Sequence, residues 1–347
     1  MRKKILIFSH DPGGANAVYP LIDAFRSRGH EVLPYANGYA CRKILEHRSL
    51  PKDNIDGVLN DVAPDFIVTG TSSSDVTEKF LWIAARKHNI PTMAILDHWC
   101  NYGIRFSNYR PKDLDKYRVD KTFDFLPSHI CVMNDFAKKE MQDEGIPGEI
   151  IHPFGNPHFA SMISKSKNVD VAKIRAKFPS NKQIITFASE PYEEDYGYEI
   201  SPERKALDDI VAVLKRYEDL TLVVKLHPRE RKNKYAKSGY SGCIFDREMD
   251  SIDMVVASNL VISVTSMFTI EACILGKKAL SYQPSESNKD NFVLTRNGVL
   301  PFLNNRADLD GAMDTILNTE KILYNFTVDF CATENIVVFV EGIICRN

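Results

Sequence analysis

One pattern limits what this chain can become: short, wholly apolar runs alternate with helical stretches, and the alternation runs through once, breaks, and begins again. The first run, residues 5–8 (ILIF), ends in a Gly-Gly turn. Residues 15–28 follow with Ala17, Leu21, Ala24 and Phe25 at helical spacing, Gly29 stops the helix, and residues 31–35 are strand-like again. Apolar runs too short for helices, separated by helices, are the mark of βαβ units and hence of a parallel sheet buried on both faces. Further strands are expected at residues 66–68, 92–96 and 129–133, with a helix at 76–87.

Residues 150–160 (IIHPFGNPHFA), dense in Pro, Gly and Asn, interrupt the pattern. It resumes with strands at 183–188, 221–226, 260–264 and 278–282, a helix at 200–217 and another at 269–275 that ends at Gly276. With 347 residues, about twice an ordinary domain, the expectation is two Rossmann-like, doubly wound α/β domains facing a central cleft. They are expected to cover residues 1–160 and 161–333, with a last helix at 334–347 open to packing back on the first domain.

Composition narrows the function classes. Lys and Arg number 44 against 46 Asp and Glu, so no global field gathers nucleic acid, and any polyanion must be held by a local cluster. The seven cysteines are scattered and never form a CxxC pair, which points to a reducing cytoplasm and away from a zinc site. No run of 18 apolar residues occurs, so a membrane span is not expected; peripheral attachment at the inner membrane surface stays open.

The chemistry-bearing residues cluster at predicted strand ends, where open α/β sheets bind ligands. LVVKLHPRE puts Lys225, His227 and Arg229 beyond one strand, three potential cations suited to a phosphate or diphosphate; a solvated strand end is the alternative. In LVISVTSMFTIEACILGKKAL a strand leads through Thr265 and Ser266 into a helix carrying Glu271. Hydroxyls at a helix N-terminus form an anion site, and Glu271 could accept from a ribose diol; Ser266 or Thr265 as a helix cap is the plainer reading. Glu190 follows the first strand of the second half, on the same side.

In the first half, SHDPGGANAV gathers His10, Asp11, Gly13, Gly14 and Asn16 at one turn. Either Asp11 or His10 could act as a base, or Asp11 could cap the helix while the glycines serve the turn. It is not a G-x-G-x-x-G nicotinamide fingerprint. TGTSSSD offers Ser72 and Ser73 to a sugar or phosphate, or as helix caps. LDHWC offers Asp97, His98 and Trp99 as polar and aromatic sugar contacts, with Trp99 equally able to anchor a core. No His-Glu-x-x-His, Walker or nucleophile-elbow motif is present, so no metal and no cofactor is expected.

KLHPRE followed by VTSMFTIEACILGKKAL, about residues 221–282, resembles the donor half of GT-B glycosyltransferases, of UDP-N-acetylglucosamine 2-epimerases, and of capsule and polyol-phosphate transferases. The resemblance implies that His227 and the Thr265, Ser266 turn hold donor phosphates, that Glu271 holds the ribose, and that a base at Asp11 or His10 activates an acceptor without a bound metal. It makes the leading expectation a transferase that moves a sugar from a phosphate-activated donor to a glycan or glycolipid in surface polysaccharide synthesis. A 2-epimerase, a transferase using a polyol phosphate or phosphoribosyl diphosphate, and a non-catalytic sugar-phosphate binder are the alternatives.

Overall fold

The computed structural model describes residues 2–72, 75–179, 182–198, 201–236, 239–284 and 289–345; Ser73, named above, lies outside them. The chain divides into two compact units, Met1–Ser161 with Val328–Asn347, and Met162–Thr327.

The first unit is built on a six-stranded parallel sheet: β1 (Lys4–Ser9), β2 (Glu31–Ala36), β3 (Phe66–Thr69), β4 (Thr92–Ile95), β5 (His129–Cys131) and β6 (Ile151–His152), in the order β2-β1-β3-β4-β5-β6. Successive residues of β1 point to opposite faces. Ile5 and Ile7 pack with Val18, Leu21 and Phe25 of helix α1 (Pro12–Ser27), while Leu6 and Phe8 pack with Leu81, Ala84 and Ala85 of α2 (Thr77–Lys87). Burial on both faces explains why the run is apolar throughout. β6 has only two residues and falls inside the Pro/Gly-rich segment, too short to leave a periodic signal.

The second unit carries a five-stranded parallel sheet: β7 (Gln183–Ala188), β8 (Leu220–Lys225), β9 (Ile244–Asp246), β10 (Leu260–Ser263) and β11 (Ala279–Ser281), ordered β11-β10-β7-β8-β9. Helix α3 (Met267–Ile274) follows β10. Sequence patterning missed β9, a three-residue edge strand with no buried residue.

The closing helix α4 (Ala332–Ile344) buries Ile336, Val337, Val340 and Ile344 in the core of the first unit. Gly155 permits this: it sits at φ +95°, and a Cβ there would lie 2.9 Å from the Cβ of Ala332. Among the described residues, no helix is long and apolar enough to cross a membrane.

Both strand orders reverse at a central strand, at β1 between β2 and β3, and at β7 between β8 and β10. Crevices at such reversals, beyond the carboxyl ends of the strands, are where this architecture presents ligands.

Candidate functional site

In the first unit, β1 runs directly into His10 and Asp11, and Pro12 opens α1 with the fixed φ that a first helical turn accepts. Asp11 stands at the capping position with extended backbone, yet its side chain makes no capping bond. The carboxylate instead faces the His10 ring, with Nδ1 and Oδ1 2.9 Å apart. His10 Nε2 lies 3.8 Å from Asp75 Oδ2. The bond to Asp11 outweighs the cost of burial, and with the charges of Asp75 and Glu78 it raises the imidazole above its ordinary pKa. Asp75 also accepts from the Thr77 amide at 2.8 Å and pairs with Lys52.

Beyond β3, Ser72 Oγ donates to Glu78 Oε1 at 2.7 Å. Glu78 is 1% exposed, and its other oxygen has no hydrogen-bond partner. Burial pushes its carboxyl up to about 7 against the opposing pull of Ser72. Beyond β4, Asp97 accepts from Arg105 Nη1 at 2.7 Å, and the same nitrogen reaches Thr71 Oγ1 at 2.7 Å, which ties two strand ends together. Gly13 is required for this contact, because a Cβ there would fall 1.7 Å from Asp97 Oδ2. Gly14 is buried, and a Cβ on it would meet Ser9 Oγ at 2.9 Å; Asn16 is half-buried in the first turn of α1.

His98 is half-buried: desolvation works against its charge, while Cys100 and Asp97 favour it strongly enough to raise its pKa. Trp99 is 2% exposed, stacks on Phe159 at 6.1 Å and donates from Nε1 to Asn134 Oδ1 at 3.1 Å. Its ring is a packing anchor, since a covered face is closed to a sugar.

The structure therefore brings His10, Asp11, Ser72 and Asp97 to one sheet edge, and it adds Asp75, Glu78 and Arg105, which sequence reasoning missed. Asp75 and Glu78 sit at the start of a helix, where acidic residues ordinarily read as dipole partners. Arg105 belongs to a single 3-10 turn, Gly103–Phe106, too short to show a period.

In the second unit, Glu190 follows β7 and reaches across to the turn after β10. Its Oε2 accepts from the Val264 amide at 2.9 Å and the Thr265 amide at 3.0 Å, and its Oε1 accepts from Thr265 Oγ1 at 2.8 Å. Glu190, a candidate donor-side residue by sequence, thus takes up the amides of this turn with its own carboxylate. Ser266 caps α3 by accepting from the Phe268 amide at 3.2 Å. Glu271 is buried on that helix rather than exposed.

Beyond β8, the His227 amide donates to Glu230 Oε2 at 2.6 Å and the Arg229 amide donates to His227 Nδ1 at 3.2 Å. With Nδ1 accepting, a neutral His227 carries its proton on Nε2 and can donate from there. The other two expected cations are matched by carboxylates. Arg229 makes a bidentate pair with Asp195 at 2.6 and 2.8 Å, and Lys225 binds Asp246 at 2.7 Å.

Lys234 holds this edge together. Its fully buried ammonium touches Glu203 and Glu230 at 2.7 Å, Glu194 at 3.2 Å and the Glu190 carbonyl at 3.1 Å. Glu194, Glu203 and Glu230 lie close enough together to hold a metal ion, and the cation among them is Lys234. The Glu three residues after His227 and the Lys seven after it are the signal that could have revealed this frame.

Residues 161–321 match the model of a family described as a protein of unknown function, DUF354. No curated protein matches the chain. Among solved structures, the UDP-GlcNAc 2-epimerase of Methanocaldococcus jannaschii, in complex with UDP-GlcNAc and UDP, superposes with a TM-score of 0.71 at 16% identity, covering 98% of this chain and 99% of that one. The UDP-GlcNAc 2-epimerase of Neisseria meningitidis bound to UDP-GlcNAc gives 0.72 at 15% identity over 99% and 100%. The glycotransferase of kitacinnamycin gives 0.57 at 12% identity over 99% and 96%. At these identities the likeness is one of fold: two parallel-sheet α/β units of the GT-B type.

Proposed function

We propose that the chain is a GT-B glycosyltransferase that takes a sugar from a nucleoside-diphosphate donor and passes it to the hydroxyl of a glycan or glycolipid. The observation that carries this reading is the His10, Asp11 pair at the β1 switch point, where Asp11 is spent on orienting an imidazole instead of capping α1. A carboxylate on Nδ1 leaves Nε2 as the working nitrogen, the arrangement of a general base oriented by an acid. In this account Asp11 and His10 remove the acceptor proton. His227 donates from Nε2 to the departing diphosphate, assisted by Ser266, and Glu271 takes the ribose. Relatives of the same fold in complex with UDP-GlcNAc and UDP support a sugar nucleotide as donor.

A 2-epimerase is the second reading, favoured by Asp75 and Glu78 joining Asp11 at the same edge, since epimerisation needs acids and bases on a single sugar. The two separate when UDP-GlcNAc and other sugar nucleotides are incubated in D2O with and without a mixture of glycan acceptors. Transfer predicts nucleotide release that depends on acceptor. Epimer formation with deuterium uptake in the absence of acceptor would replace the transferase reading with the second one.

A further inference from the structure

We propose that the strand end carrying Thr71, Ser72, Asp75 and Glu78 binds an uncharged polyhydroxyl ligand, a sugar ring, and rejects phosphate, with Glu78 as the residue that sets this preference. The inference specifies the ligand class of the acceptor side of the function proposed above and rests on that reading only for the word acceptor.

Charge is the first ground. Three cations at this edge have a carboxylate each, His10 with Asp11, Lys52 with Asp75, and Arg105 with Asp97, while His98, next to Asp97, is engaged chiefly with Cys100. Lys79, next in sequence to Glu78, places its ammonium on the Ser107 carbonyl at 2.6 Å. Among the described residues, Glu78 is therefore an acidic group in excess, and a phosphate entering here would meet four carboxyl groups and no uncommitted cation.

Hydrogen-bond polarity is the second ground. Ser72 has one proton, and Glu78 Oε1 takes it. What Ser72 can offer a ligand is its lone pairs, which suit a hydroxyl donor and repel a phosphate oxygen. Glu78 Oε2, buried and unpartnered, is a second acceptor in need of a donor, and leaving it unmet is costly. A hydroxyl-rich ring supplies several such donors without charge, whereas inorganic phosphate brings one or two P–OH groups together with its negative charge. This polarity belongs to the ionised carboxyl: with the pKa of Glu78 raised to about 7, a proton on Oε2 turns that oxygen into a donor, so the preference for a hydroxyl-bearing ligand is strongest above pH 7.

The test is a pair of NMR titrations of the full chain, following the His10 ring and the amides of Gly70, Thr71, Ser72 and Thr77. One probe is inorganic phosphate and the other is a panel of unphosphorylated methyl glycosides of hexoses and N-acetylhexosamines. At least one glycoside is expected to shift these signals while phosphate leaves them in place. Glu78→Gln, which puts a donor where an acceptor stood, should weaken the glycoside response about tenfold or more at unchanged Tm. Ser72→Ala provides a second variant should Glu78→Gln fold poorly. Phosphate shifts at these signals, silence from every glycoside, or a glycoside response indifferent to both substitutions would overturn the proposal. A glycoside response from a protein that neither transfers nor epimerises would keep this inference and remove the function above.

Discussion

Asp11 separates two roles that its sequence position confounds. A residue that follows a strand and precedes Pro12 reads as a helix cap, and the structure gives it the backbone of one without the side-chain bond. Asp11→Asn should therefore leave Tm within about 1 °C of the wild type, since the typical loss of about 1 kcal/mol for a missing cap does not apply. Turnover should fall about a hundred- to ten-thousandfold, as for a lost base or base-orienting group. A drop in Tm with turnover preserved would make it a cap after all. What the sequence made legible is the placement of His10, Asp11 and His227 just beyond strand ends. Residues were illegible where partners decide the role. Lys225 and Arg229 are cations by sequence, but Asp246 and Asp195 neutralise them, and neither acid is near in sequence. Trp99 offered a sugar-stacking face that Phe159 covers.

At the scale of elements, the loop after β8 and the loop after β7 are joined through Lys234. Replacing its buried ammonium by an isosteric apolar chain, Lys234→Met, strands Glu203 and Glu230 without a cation. The expected loss is about 3 to 5 kcal/mol, read by urea unfolding. A neutral outcome would mean that the carboxyls simply take up protons. The docking of α4 has a different sensitivity. His152 rests 4.4 Å from the Phe339 ring of that helix and 3.1 Å, Nε2 to Nδ1, from His129. Burial, then the charges of His129 and Lys138, pull the pKa of His152 down to about 4. A folded-state value below the unfolded 6.5 means that the unfolded chain binds more protons between the two. Stability should hold above about pH 6.5 and decline as pH falls toward 4, and His152→Phe should flatten that decline. Equal acid sensitivity in both proteins would acquit His152. The strands were readable from apolar periodicity, except β6 and β9, whose two and three residues fall below any period, whereas helices such as Ile55–Val62, Asp135–Glu144 and Arg306–Asn318 were not anticipated.

For the whole molecule, the repeat of a βαβ pattern after a Pro/Gly-rich break was sufficient to anticipate two parallel sheets, because continuous apolar runs can be buried only between layers of helices. The pattern says nothing of strand order, which loop geometry and long-range packing decide, and it is strand order that puts His10 beside Ser72 and Glu190 beside Thr265. The central claim, a nucleotide-sugar donor held through His227 and a base at His10 oriented by Asp11, is tested most directly by calorimetric titration of UDP, GDP and CDP into the wild type, His227→Ala and Asp11→Asn. The account predicts that one of these nucleotides binds the wild type, binds His227→Ala about ten to a hundred times more weakly, and binds Asp11→Asn unchanged. Failure of all three to bind the wild type, or equal affinity in His227→Ala, would contradict it.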